Sequence, residues 1–126
     1  MRPYHLLATL LFLACGDNDA DLLHGRWRAS SVTENGDSLA LDPREITFAF
    51  TPDGRYEFTS TLGYAEAGTW ELRDGLLLAQ DTTQPDTPER VVSVETLTAD
   101  SLVMRMRADS AERYVYLLRQ SPPPPQ

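Results

Sequence analysis

The sequence predicts an all-β protein, specifically an eight-stranded antiparallel up-and-down barrel. Three observations predict this fold: apolar and polar residues alternate along most of the chain, short turn sequences separate the alternating segments, and helical periodicity is almost absent. Strands joined in sequence by hairpins are typical of an up-and-down arrangement, and eight of them can close without leaving an edge unpaired. With 41% hydrophobic residues, the chain can bury a core.

The clearest predicted hairpin joins residues 44–51 to residues 55–62 through the sequence TPDG. Proline fixes φ in this turn, and glycine takes the positive φ. A second hairpin turns at Asp74-Gly75, and residues 20–24 are expected to form at most one helical turn. The eight predicted strands are residues 25–34, 44–51, 55–62, 65–73, 76–80, 89–98, 101–108 and 112–119.

Residues 1–14 have the anatomy of a secretory signal. Arg2 precedes a short apolar run, and the only cysteine of the chain, Cys15, follows that run directly. The sequence FLAC at residues 12–15 resembles a bacterial lipobox, which implies that Cys15 is lipidated. The apolar run is shorter than the roughly 20 residues that cross a bilayer. Cleavage after Gly16, which would discard the cysteine and secrete the protein, stays open as the alternative.

These features divide the chain into four predicted parts. A signal peptide (1–14) is followed by an acidic tether (15–21), a barrel domain (22–119) and a proline-rich tail (120–126). Lipidation would attach the protein to a membrane of the bacterial cell envelope. We expect the outer membrane, with the domain facing either the periplasm or the cell surface.

The charge of the chain restricts its partners. The formal net charge is −8, and every basic residue is an arginine. Nucleic-acid binding requires a basic footprint, so none is expected. Electrostatic adhesion to anionic lipid is disfavoured for the same reason, which leaves the lipid anchor as the membrane contact. With Cys15 used for lipid, no disulfide within the chain is possible, and we expect a monomer.

An ordered series of short motifs resembles the lipocalin-like domains of bacterial lipoproteins. The series begins with GRW at residues 25–27 and ends with the sequence YVYLLR at residues 114–119; between these lie ITF, TPDGRYEF, GTWEL and LTADSLVM. The resemblance covers about residues 22–119. It implies that Trp27 lies at the closed end of the barrel with Arg119 stacked across its ring. Classical lipocalins are longer and carry a helix after the barrel, so the resemblance is to the compact bacterial branch.

No enzyme activity, cofactor or metal is expected. After the signal, His24 is the only histidine, and a catalytic triad or a metal site needs more ligands than it can supply. We expect His24 to be exposed before the first strand. The carboxylates of Glu57, Glu66 and Glu71 are expected on the solvated outer face of the barrel.

The barrel interior is the remaining candidate site. Aromatic and methionine side chains suit a small apolar ligand in the barrel mouth, with Tyr56, Phe58, Trp70 and Met104 as its predicted walls. An eight-stranded interior is also only just wide enough for its own side chains. The alternative is therefore a filled barrel that contacts a protein, or inhibits an enzyme, through loops such as residues 81–88. The side chains predicted to point inward are Phe48, Phe50, Tyr56, Phe58, Trp70, Leu72, Leu102, Met104, Met106, Tyr114 and Tyr116, with Val115 and Leu117 as competitors on the last strand.

Overall fold

A computed structural model describes residues 19–120, which form nine strands, all paired antiparallel. Eight longer strands follow one another around the molecule, and pairing of the first with the last closes the barrel. The predicted eight-stranded antiparallel up-and-down barrel is therefore confirmed. Cys15, the start of the tether and the tail from residue 121 lie outside the described residues. The strands are β1 (Gly25–Glu34), β2 (Asp37–Ser38), β3 (Thr47–Phe50), β4 (Arg55–Thr59), β5 (Ala65–Arg73), β6 (Leu76–Asp81), β7 (Arg90–Leu97), β8 (Ser101–Ala108) and β9 (Ala111–Arg119).

The ninth strand, β2, was not predicted. It is a two-residue extension that pairs with the end of β1, Thr33 opposite Ser38. The turn between them is Asn35-Gly36, both at positive φ (51° and 90°), and Asn-Gly is the strongest short hairpin signal. The sequence therefore contained the signal for this small hairpin.

The N-terminal helical turn lies across one end of the barrel. Residues 19–23 are helical, and Leu23, at the end of this turn, is completely buried in the core. We call this end, which also contains the turns at residues 51–54, 74–75 and 98–100, the closed end. The opposite end, with the loops at residues 60–64 and 82–89, is the open end. In the described part of the chain, no helix is long and apolar enough to cross a membrane.

Two predicted strands are shorter than expected. Pro43–Glu45 form a 3₁₀ turn capped by Asp42, whose side chain accepts a hydrogen bond from the backbone N–H of Arg44 at 3.0 Å. Proline suits the first position of such a turn, so β3 starts only at Thr47. Beyond β4, Thr61–Gly63 form a second 3₁₀ turn. Leu62 in this turn has φ 61° and is fully exposed, so the strand predicted for residues 55–62 ends at Thr59.

The inward face of β9 also differs from the prediction. Val115 and Leu117 are buried, whereas Tyr116 is exposed and Tyr114 is only partly buried. The two-residue turn at residues 109–110 places Val115 opposite Met104 in β8. Directly opposite residues share a face, so the inward Met104 requires Val115 inside and both tyrosines outside.

One glycine permits the close approach of two strands. A Cβ atom on Gly68 in β5 would lie 1.8 Å from the backbone oxygen of Gln80 in β6. Side chains on either side of it, those of Glu66 and Trp70, point to the interior. Gly68 therefore allows the backbone of β6 to lie close to β5 at this point.

Candidate ligand site at the open end

The closed end is sealed by a tryptophan and an arginine. Trp27 is completely buried, and its indole N–H donates to the backbone oxygen of Leu23 at 2.9 Å. The guanidinium carbon of Arg119 lies 4.2 Å from the centre of the Trp27 ring. The same guanidinium donates to the carbonyls of Leu22 and His24. These contacts join the N-terminal turn, β1 and β9 across this end of the barrel.

His24 belongs to this closed end, and the prediction that it is exposed was wrong. Its ring is half-buried and meets the ring of Trp70 edge to face, with centroids 5.7 Å apart. The contact arises because residues 19–23 fold across this end of the barrel, which brings His24 against Trp70 in β5. In the sequence, the presence of an aromatic residue such as Trp70 for the His24 ring to pack against is the only indication that His24 is partly buried.

Inside the barrel, a cavity of about 50 Å³ remains. This volume is somewhat larger than that of one water, which occupies roughly 30 Å³. It is far smaller than that of a typical ligand pocket, which measures about 300–1,000 Å³. Most of the interior is thus filled by side chains. The cavity walls are formed by Phe48, Phe50, Tyr56, Phe58, Glu66, Leu77, Ala79, Arg90, Val92, Met104 and Met106.

A second cavity, of about 150 Å³, lies in the mouth of the open end. Phe48, Phe58 and Met106 line both this mouth cavity and the interior cavity. These three side chains therefore border both spaces. The remaining mouth residues are Val32, Leu41, Ile46, Ser60, Thr61, Arg113 and Val115.

Three of the four predicted wall residues meet in the interior cavity. Tyr56, Phe58 and Met104 line it, whereas Trp70 does not. The ring of Trp70 lies nearer the closed end, 5.5 Å from that of Phe50, and its indole N–H donates to the carbonyl of Thr51 at 3.2 Å. Trp70 therefore supports the barrel wall below the cavity.

Glu66 lies inside the barrel rather than on its outer face. It was expected on the solvated outer face, but its side chain is only 2% exposed and lines the interior cavity. The hydroxyl of Tyr56 donates to Oε2 at 2.5 Å, and the hydroxyl of Tyr64 donates to Oε1 at 2.6 Å. Arg90 approaches Oε1 at 3.4 Å. Period-two alternation back from Trp70 and Gly68 was the signal that predicts an inward Glu66.

The two tyrosines are held as hydrogen-bond donors. Burial, and then the hydrogen bond to Glu66, raises the pKa of Tyr56 far above its usual range. For Tyr64, the hydrogen bond to Glu66 is the larger cause of a raised pKa, and burial is the second. Both phenols therefore stay protonated at neutral pH, and each stabilises one oxygen of the carboxylate.

A depression on the outer face of the barrel is less suited to an apolar ligand. A depression of about 300 Å³ lies on the outside of β1, β3, β4 and β5, but exposed polar side chains such as Arg26, Asp53 and Glu57 line much of it. Within residues 19–120, no group of three or more His, Cys, Asp or Glu side chains is arranged to hold a metal ion. The open end is consequently the candidate site.

Comparison with known proteins supports the fold. No protein-family model matches the chain, and no curated protein matches it significantly. A lipocalin-like protein from Bacteroides uniformis aligns with a TM-score of 0.59 and 16% identity, over 79% of this chain and 99% of that one. An uncharacterized protein from Bacteroides eggerthii aligns with a TM-score of 0.53 and 18% identity, over 76% of this chain and 98% of that one. At these identities the comparison bears on fold alone, and the lipocalin-like barrel that the sequence resemblance implied is confirmed.

Proposed function

We propose that this protein is a non-catalytic binder of a small, largely apolar molecule, which it holds in the open end of its barrel. One observation carries the proposal: the mouth cavity and the interior cavity share Phe48, Phe58 and Met106 as walls. Phe58 and Met106 are only partly buried, and methionine adapts readily to irregular shapes. Small movements of these side chains would join the two spaces into one site.

The size of the two spaces limits the ligand. Their volumes of about 150 Å³ and 50 Å³ are together below the range of about 300–1,000 Å³ that is typical for drug-sized molecules. We therefore expect a ligand much smaller than a retinoid or a haem. A long lipid chain would have to displace the buried core residues Leu77, Val92 and Met104.

Native mass spectrometry of the full-length protein, extracted gently in a nonionic detergent, tests this proposal. A co-purifying small-molecule mass is expected. Thr61→Phe, which fills the mouth cavity, should remove that mass, whereas Thr69→Phe on the exposed outer face of β5 should retain it. A protein without any bound mass, which also fails to bind small amphiphiles, would contradict the proposal.

A second candidate is an interaction protein with a filled barrel, which would contact a partner through its loops. Two observations favour it: the interior cavity is small, and Leu62 at the open end is 101% exposed. A large apolar side chain so exposed on a loop is common at contact surfaces. In this case the same mass spectra would show a bound protein, and Leu62→Asp rather than Thr61→Phe would remove it.

We propose that a lipid on Cys15 attaches the protein to a membrane of the bacterial envelope. Asp19 lies in the helical turn at the closed end, and a residue spans at most about 3.6 Å of extended chain. A lipid on Cys15 would therefore hold the closed end near the membrane and direct the mouth away from it. Several acyl chains anchor a protein firmly.

The anchoring is tested by Cys15→Ser. The variant is expected in the soluble fraction after cell lysis, because it lacks the acylated residue. Unchanged retention in the membrane fraction would overturn the assignment of Cys15 as the anchor.

A further inference from the structure

The interior cavity is lined by the carboxylate of Glu66, and the packing of the core does not explain why a charged side chain lies there. Glu66 is nearly completely buried, and burying a charged group is costly unless other groups satisfy it. Apolar residues of similar volume often serve a core equally well. A buried carboxylate that lines an open cavity points to a ligand group that it recognises.

We propose that Glu66 and the surrounding aromatic rings bind the ammonium group of a small organic amine. This inference rests on the proposed binding function and specifies the class of ligand. The ammonium group would occupy the interior cavity, and a short apolar tail would extend into the mouth cavity.

The carboxylate has acceptor capacity left for such a group. An ionised carboxylate offers about four lone-pair sites, and the two tyrosine hydroxyls use one on each oxygen. The contact from Arg90 is long, at 3.4 Å. Glu66 also lines the cavity directly, so an ammonium in that space can donate to it.

The aromatic rings favour the same charge. Phe48 and Phe58 lie with ring centroids 4.6 Å apart, and Phe48 and Phe50 lie 5.7 Å apart. These three rings and that of Tyr56 line the cavity around Glu66. Aromatic rings attract a cation to their faces, so a lining rich in such rings is compatible with a positively charged ligand group. A volume of about 50 Å³ suits an ammonium group, which is close in size to one water.

Arg90 is the group that could reverse this preference, because a guanidinium would attract an anionic ligand. Its side chain is 49% exposed, so it can move into solvent when an ammonium takes its place. Two carboxylates, those of Glu66 and Asp81, are near enough to interact with Arg90 electrostatically. The site therefore carries more negative than positive charge, and a cation is favoured.

The test compares three probes with the same four-carbon chain: butylammonium, 1-butanol and butyrate. Their affinities for the full-length protein in nonionic detergent are measured by calorimetry at neutral pH. We expect butylammonium to bind at least about tenfold more tightly than 1-butanol, which is about 1.4 kcal/mol, and butyrate to bind most weakly. Equal affinities for butylammonium and 1-butanol would overturn the inference while leaving the proposed function intact. No binding of any probe would overturn both.

Matched variants locate the effect. Glu66→Gln is close in shape to glutamate but removes the charge and keeps one acceptor oxygen instead of two. It should lower butylammonium affinity by tenfold or more while changing 1-butanol affinity little. Glu57→Gln, an equal charge change on the exposed face of β4, should change neither. Because Glu66→Gln is a core substitution, Arg90→Gln provides a second test at a half-exposed site. It removes the competing cation and should strengthen butylammonium binding. Weaker amine binding in Arg90→Gln would overturn the inference.

Discussion

The closed and open ends of the barrel differ in how fully their side chains are packed and hydrogen-bonded by other residues of the protein. At the closed end, Trp27 is buried, its N–H is hydrogen-bonded, and Arg119 covers its ring while donating to backbone carbonyls. At the open end, two cavities remain, a buried carboxylate lines one of them, and Leu62 projects into solvent. We infer that the well-packed closed end supplies much of the stability of the barrel. The open end can therefore retain unfilled space and the buried charge of Glu66.

The largest expected effect on stability comes from removing the buried indole of Trp27 at the closed end. Trp27→Ala should lower the free energy of unfolding by about 3–5 kcal/mol, because it leaves a large cavity and an unpaired carbonyl. Phe58→Ala, at a half-buried ring that already borders open space, should cost less. Urea denaturation of both variants checks this order. Equal losses would mean that the two ends contribute equally to stability.

Arg119 is the next strongest contributor at the closed end. Arg119→Lys should cost about 2 kcal/mol, because lysine loses the planar fork that stacks on Trp27 and reaches the two carbonyls. Hydrogen exchange should also become faster in residues 20–24. Arg73→Lys is the control: Arg73 is exposed and pairs with Glu71 on the surface, so its replacement should change stability by less than about 0.5 kcal/mol. Slow exchange in Arg119→Lys would argue against its role as a clamp.

At the open end, replacing Leu62 with glycine should increase the stability of the protein. Its φ of 61° is unfavourable for a residue with a Cβ atom, and glycine adopts it readily. Leu62→Gly should raise the free energy of unfolding by about 0.5–1 kcal/mol. Leu118→Gly, at an exposed leucine in regular strand β9, should lower it by a similar amount. A loss of stability in both variants would mean that Leu62 contributes packing in the folded state.

The smallest expected effect is on acid stability at the open end. The side chain and then the backbone N–H of Thr83 lower the pKa of Asp81 below the ordinary value of 3.8. A lowered folded-state pKa contributes stability above the ordinary value, and this contribution is lost as the pH falls through the folded-state pKa. Thr83→Val removes the hydroxyl contact, so acid unfolding should begin at a slightly higher pH. An unchanged acid midpoint would show that the backbone hydrogen bond is sufficient.

The barrel itself was predictable because its signals are local. Alternating residues and short turns such as TPDG and Asp74-Gly75 define hairpins, and consecutive hairpins define the topology. The face of β9 was also available from the sequence: the two-residue turn at 109–110 sets the register, and the register places Val115 opposite Met104. The aromatic character of Tyr114 and Tyr116 favoured the opposite face, but the pairing register decides which side chains of β9 face inward.

The site was less predictable because it depends on contacts distant in sequence. Glu66 has the inward parity of Trp70, but a charge is usually expected outside, and the partners that stabilise it, Tyr56 and Arg90, lie on other strands. The burial of His24 likewise depends on how the N-terminal turn folds beneath the barrel. Cavity volumes follow from the packing of all inward side chains, which strand alternation alone does not determine.

The most direct test of the division between the two ends is NMR of the full-length protein labelled at methionine methyls and tryptophan indoles. Butylammonium is titrated while both sets of signals are followed. We predict that the methyls of Met104 and Met106, which line the cavities, shift with saturation. The indole N–H of Trp27, bonded to Leu23 at the sealed end, should not move. A saturable shift of the Trp27 signal with unchanged methionine methyls would contradict the account.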